Sequence, residues 1–143
     1  MTAKETVLIV DDDVDLVESL RMFLERGGYA VRTAHDAETG LERVDGDRPD
    51  LILLDVMMPE STEGFQFIWR LRQRDEEYFR KVPVIMLTSV VERTGLRFYP
   101  ASEGGSYPAG DPAPVQDFID KSVEPDVLLE RVRAALVAAW RKG

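Results

Sequence analysis

Two apolar runs that each end on acid, VLIVDDD at residues 7–13 and LILLD at 51–55, constrain this chain more than any other feature in it. Four consecutive apolar residues with β-branched members do not suit a half-solvated strand, so each run reads as a strand buried on both faces. Such strands belong to open parallel α/β sheets, where ligands bind beyond the carboxyl ends of the strands. Asp11, Asp12 and Asp55 stand at those ends. If the two strands are neighbours the acids meet, and their repulsion demands protonation or a cation. Oxygen-only donors, with water or phosphate completing the shell, suit Mg²⁺. The plainer alternative is that each acid caps the helix that follows, and for Asp13 that reading stands at least level with the other.

The remaining strands are less emphatic. Tyr29–Ala34 alternates and reads as a short strand towards an edge. Val82–Leu87 is a buried run with Pro83 at its start, where no ladder donor is needed, and it leads into Thr88 and Ser89. Val115–Ile119 is weaker and leads into Asp120 and Lys121. Helical spacing fills the gaps. A first helix, capped by Asp13 or Asp15, carries Leu16, Leu20 and Phe23 on one face and stops at Gly27 and Gly28. A second, capped by Asp36, carries Ala37, Gly40, Leu41 and Val44. A third buries Gly64, Phe67, Ile68 and Leu71, leaving Arg70, Arg72, Arg74, Asp75, Glu76 and Glu77 as solvated charge. The last opens at Pro125, with Leu128, Val132, Ala135 and Ala139 in register and Trp140 near its end. This alternation predicts an α/β fold, a doubly wound five-stranded parallel sheet with at least four helices.

At 143 residues and 44% hydrophobic composition, a single domain over 1–143 is expected, with no output domain beside it. The net charge of −9 argues against a nucleic-acid footprint and against an anionic membrane surface. Without cysteine there is no disulfide framework, thiol nucleophile or Cys-ligated zinc, which agrees with a cytoplasmic location. No stretch reads as a signal peptide or is long enough to insert in a membrane. The sole histidine, His35, falls between a strand and a helix, which gives it a loop or capping role rather than that of a phosphohistidine donor.

Four strand ends therefore offer chemistry: Asp11 with Asp12, Asp55, Thr88 and Lys121. A carboxylate nucleophile, a divalent cation, a hydroxyl donor and an ammonium are the set that phosphoryl transfer to an aspartate requires, because that reaction depends on positioning and charge neutralisation. Singly, a threonine after a strand is a turn residue and a lysine there is solvated; together and in order they form a site.

These motifs resemble those of the receiver domain of the two-component response-regulator family, across essentially the whole chain. VLIVDDD is similar to its acidic pair, LILLDVMMPESTEG to its phosphoacceptor turn, VIMLTS to its switch hydroxyl and FIDKS to its lysine motif. The resemblance implies a flavodoxin-like receiver fold in which Asp55 accepts a phosphoryl group from a sensor histidine kinase or a histidine phosphotransfer protein. It also implies Mg²⁺ held by Asp11, Asp12, Asp55 and the backbone carbonyl of Met57, with Thr88 and Lys121 contacting the phosphoryl group. Phe118 stands where the family keeps a rotating aromatic, with an ordinary packing role as the alternative. The implied protein is a phosphoprotein switch, not an enzyme, and acts through phosphorylation-dependent contacts with a downstream protein.

Two departures qualify the likeness. Ser122 follows the lysine where the family places a proline after a cis bond, so either the site enforces a cis bond or the backbone is trans and the lysine aims differently. The span from Thr88 to Lys121 is also roughly ten residues longer than the family pattern. Between Thr94 and Pro114 it holds Gly95, Gly104, Gly105, Gly110, Pro100, Pro108, Pro112 and Pro114, so an irregular loop is expected in place of the fourth helix. Leu96, Phe98, Tyr99 and Tyr107 would either pack down over the sheet's end or make that loop a recognition surface. Two other functions compete: a receiver-like binding module without regulated phosphorylation, and a Mg²⁺-dependent phosphohydrolase, for which DVMMP supplies no general acid.

Overall fold

Every side chain of Leu51–Asp55 is buried, as is every side chain of Val84–Thr88, and these two strands form the centre of a five-stranded sheet. The structure, a computed structural model, describes residues 4–55, 63–88 and 115–140. In chain order the elements are β1 (Thr6–Val10), α1 (Val14–Arg26), β2 (Ala30–Ala34), α2 (Ala37–Asp47) and β3 (Leu51–Asp55). They continue with α3 (Glu63–Arg72), a short α4 (Glu77–Lys81), β4 (Val84–Thr88), β5 (Asp117–Asp120) and α5 (Pro125–Trp140). The strand order is β2-β1-β3-β4-β5, all parallel, with β2 at an edge as its alternating burial requires. Met57 and the 94–114 segment, including its expected loop, lie outside the described residues.

Alternate residues of each strand face opposite layers. Val7, Ile9, Leu51, Leu53, Ile85 and Leu87 pack against α1 and α5, through Val17, Leu20, Leu24, Leu128, Val132 and Leu136. Leu8, Val10, Ile52, Leu54, Val84 and Met86 pack against Leu41, Val44, Phe67, Leu71 and Phe79 of α2, α3 and α4. The stripes of α1 and α5 differ from those read in the sequence. Asp13 is the cap of α1, accepting from the Leu16 amide at 3.1 Å, and the helix so started turns Val17 and Leu24 to the sheet, with Leu16 and Phe23 at the margin. In α5, Leu136 takes the buried place and Ala135 stays at its margin, because the larger side chain removes more apolar surface from water. Asp36 caps α2, and the Thr39 amide, 2.7 Å from its carboxylate, holds its pKa below the ordinary value.

Strand ends moved by one or two residues. Proline has no amide to offer, so β4 begins after Pro83, whose carbonyl still accepts from Ile52 at 3.0 Å. β5 runs from Asp117 to Asp120 rather than from Val115 to Ile119. The charged stretch after α3 is not simply solvated: it contains α4, which buries Phe79. Its charges have partners across the fold, Arg48 with Glu76 at 2.9 Å, Arg74 with Asp45, and Arg72 donating to the Phe79 carbonyl at 3.0 Å. The Arg48 and Arg74 guanidinium carbons lie 4.8 and 4.9 Å from the Phe79 ring centroid.

The residues just before β3 are held from several directions. Tyr78 donates to the Pro49 carbonyl at 2.6 Å, and Trp140 donates from Nε1 to the Asp50 carbonyl at 2.8 Å. The two rings stack, with centroids 6.3 Å apart and planes 10° from parallel. Asp50 Oδ2 accepts from the Thr6 amide at 2.8 Å, and the Asp50 amide donates back to the Thr6 carbonyl. Burial raises the Tyr78 pKa, so the hydroxyl remains a donor at any physiological pH.

Gly40 marks the closest approach of α2 to the sheet. A Cβ there would lie 2.9 Å from the Phe67 ring and 3.1 Å from both Val10 methyls. Gly40→Ala should therefore destabilise the fold despite alanine's better helix propensity, by about 1–3 kcal/mol of overpacking. Urea unfolding measures it, and an unchanged or raised midpoint would contradict this packing.

Candidate functional site

Parallel pairing places the acids together. Val10 pairs with Leu54, so Asp11, the residue after β1, lies level with Asp55 at the end of β3. Asp11, Asp55 and Thr88 are the buried polar residues among those described, and all three sit at the same end of adjacent strands. Asp12 is exposed at the rim. Lys121, one residue beyond β5, reaches across to this group: its ammonium lies 2.9 Å from Asp55 Oδ1 and 3.6 Å from Asp11 Oδ2. Each of Asp11, Asp12, Asp55, Thr88 and Lys121 thus lies at the strand end where the sequence placed it.

The electrostatics follow from burial. Asp11 is pushed up from 3.8 to about 6, first by desolvation and then by the neighbouring Asp55 and Asp12 carboxylates. The Asp13 amide, donating to Asp11 Oδ1 at 2.9 Å, and the Lys121 ammonium oppose that rise without cancelling it. Asp11 Oδ2 is buried and accepts no hydrogen bond. Asp11, Asp12 and Asp55 each offer a carboxylate oxygen, all within 4.8 Å of one another. Opposite oxygens of a Mg²⁺ octahedron are about 4.2 Å apart, so these three need shift by less than about 1 Å to share one such ion. An oxygen-only donor set, an unbonded buried oxygen and an excess of negative charge fit a hard divalent cation.

The peptide bond between Lys121 and Ser122 is trans, since none of the described residues has a cis bond. The expectation that a trans backbone would aim the lysine elsewhere is not met, and the turn explains why. Asp120 Oδ1 accepts from the Ser122 amide at 2.8 Å and from the Ser122 hydroxyl at 2.6 Å. The sequence places Asp120 and Ser122 on either side of the lysine without revealing this turn; the Asp-x-Ser spacing that favours it is the signal that could have found it. Phe118, paired with Met86, is half-buried and packs against the α2 and α3 layer. His35 is exposed, as a loop residue should be, but its Nδ1 lies 3.2 Å from the Asp11 carbonyl oxygen and ties the loop after β2 to the site.

Comparison with known proteins gives a consistent result. The family model described as the response regulator receiver domain matches residues 7–98. Response regulator MprA of Mycobacterium ulcerans is 37% identical over 133 residues, 91% of this chain and 49% of that protein. The protein of the same name from Mycobacterium tuberculosis is 36% identical over 91% of this chain and 50% of its own length. The chain therefore spans about half the length of these curated relatives. Among solved structures, the chemotaxis response regulator CheY4 of Vibrio cholerae superposes with a TM-score of 0.73 at 25% identity, covering 93% of this chain and 99% of that one. A CheY-like receiver domain protein from Methanospirillum hungatei shares the fold, with a TM-score of 0.73 at 24% identity over 99% and 100% of the two chains.

Proposed function

The chain belongs to the response-regulator receiver family of two-component signalling, and from that membership we propose that it accepts a phosphoryl group on Asp55, assisted by Mg²⁺ and Lys121. The observation that carries this reading is the Lys121 ammonium held 2.9 Å from Asp55 Oδ1 beside the three-carboxylate cluster. In the reaction a carboxylate oxygen of Asp55 forms a bond to phosphorus while the phosphorus–nitrogen bond of a phosphohistidine donor breaks, and the imidazole leaves with the electron pair. Lys121 is placed to balance charge on the phosphoryl oxygens, and Thr88, at the end of β4, to donate a hydrogen bond to them. Asp11, Asp12 and Asp55 would hold Mg²⁺, which supplies further neutralisation of that charge. The donor would be a sensor histidine kinase or a histidine phosphotransfer protein, and the product would act by altered protein contacts. A phosphorylated state shifts a conformational equilibrium only through interactions that differ between its two states, and Thr88 and Phe118 are the groups proposed to register it.

Incubation with acetyl phosphate and Mg²⁺ tests the reading by intact mass. One added phosphoryl group mapped to the peptide containing Asp55, and lost when Mg²⁺ is chelated, is the expected result. No adduct would favour a binding module without regulated phosphorylation, and steady turnover of added phosphate esters would favour a hydrolase.

A further inference from the structure

Lys121 holds a flexible four-carbon side chain between two carboxylates, and that side chain starts from the backbone at residues 120–122. A lysine side chain has many rotamers to lose, so an ammonium delivered to one place needs a fixed starting point. On the strand side this is supplied by the Lys121 amide, which donates to the Thr88 carbonyl at 2.7 Å and extends the β4·β5 ladder one residue past the strand. On the far side it is supplied by Asp120. Its Oδ1 gathers the Ser122 amide at 2.8 Å and the Ser122 hydroxyl at 2.6 Å, while its carbonyl accepts from the Val123 amide at 2.9 Å. Lys121 is thus the central residue of a turn closed on both sides of it. A helix-capping role does not account for this carboxylate, because α5 starts at Pro125 and the Leu128 amide bonds to the Glu124 carbonyl.

We propose that Asp120 is a positioning residue, which through its two bonds to Ser122 fixes the turn that aims Lys121 at Asp55 and Asp11. The role is geometric: what matters is an acceptor oxygen one methylene from the backbone, within reach of the Ser122 amide, and not the negative charge. The inference rests on the reading of Asp55 as phosphoacceptor for its effect on rate, but the aim of the lysine is measurable without phosphorylation.

Four variants test it: Asp120→Ala, Asp120→Glu, Asp120→Asn and Ser122→Ala. Two readouts apply, the rate of labelling by acetyl phosphate with Mg²⁺, and the ¹⁵Nζ resonance of Lys121 in the metal-free protein, assigned by its disappearance in Lys121→Met. Asp120→Ala removes the acceptor, and Asp120→Glu keeps the charge but displaces the oxygen. Both should slow labelling by about ten- to a hundredfold, as misplacement of a reacting group does. Both should also move the Nζ resonance into the envelope of solvent-exposed lysines. Asp120→Asn keeps an acceptor at the same place and should restore both readouts to within about twofold of wild type. Ser122→Ala keeps the amide bond and should fall between. Wild-type behaviour of both the alanine and glutamate variants overturns the proposal; so does an asparagine variant as defective as alanine, which would make charge the active property. If wild type takes no label, the acceptor reading fails while the Nζ resonance still decides this one. Should Asp120→Ala not fold, Asp120→Glu carries the same comparison.

Discussion

Asp55→Asn should take no label from acetyl phosphate or from a phosphohistidine donor, with Mg²⁺ present and the fold retained. The amide is not a nucleophile under these conditions, and among the described residues no other carboxylate is placed to replace it. Asp11 is buried beneath the site and already shares the Lys121 ammonium, and Asp12 stands at its rim. The variant loses a repelling charge and the Lys121 ion pair together, and a cooperative unfolding transition in the same sample separates lost chemistry from lost structure. Intact mass and thermal unfolding on the same sample decide it. A full phosphoryl adduct on the variant would remove Asp55 from the centre of the proposed reaction.

The second large effect is on stability. An acid whose pKa is raised from 3.8 to about 6 by folding favours the native state only while it is protonated. That contribution is fully present below pH 3.8, declines as pH rises towards 6, and is absent above it. Ionised Asp11 then costs the metal-free protein about 3 kcal/mol relative to a neutral group, at 1.36 kcal/mol per unit. Asp11→Asn keeps an acceptor for the Asp13 amide, now at 2.9 Å. It should stabilise the metal-free protein at pH 7.5 by about 2–3 kcal/mol, on the order of 10 °C in Tm. The gain should shrink towards zero near pH 4. Mg²⁺ should reverse the order, because binding to the native state stabilises by mass action and the variant has lost a ligand. Urea titrations at pH 4.5 and 7.5, with Mg²⁺ and with chelator, measure all four corners. A variant less stable than wild type in chelator at pH 7.5 would contradict the electrostatics derived for Asp11.

The sheet and the acids were legible in the sequence because both depend on continuous signals. A strand buried on both faces needs an unbroken apolar run, and a residue after such a run in a parallel sheet has one place to be. The stripe of α1 was less legible because Leu16, Val17, Leu20, Phe23 and Leu24 hold two overlapping helical patterns. The capped start at Val14 selects between them. The charged run containing α4 hid its role for another reason. Arg48, Asp45 and the Phe79 ring, which engage its charges, lie outside it or look ordinary within it, so the stretch read as solvated. The Asp120 turn was missed because a polar Asp-Lys-Ser step after a weak strand looks like any loop, and its geometry exists only once Thr88 holds the Lys121 amide.

The bonds around Pro49 and Asp50 give β3 the mechanics of a cantilever. Its root is clamped by Tyr78 from α4, by Trp140 from α5 and by Thr6 from β1, three elements that approach from different sides. The strand itself is sandwiched along its full length, so it can neither slide nor tilt as a unit without breaking several contacts together. A load applied at Asp55 is therefore not absorbed by recoil of the beam beneath it.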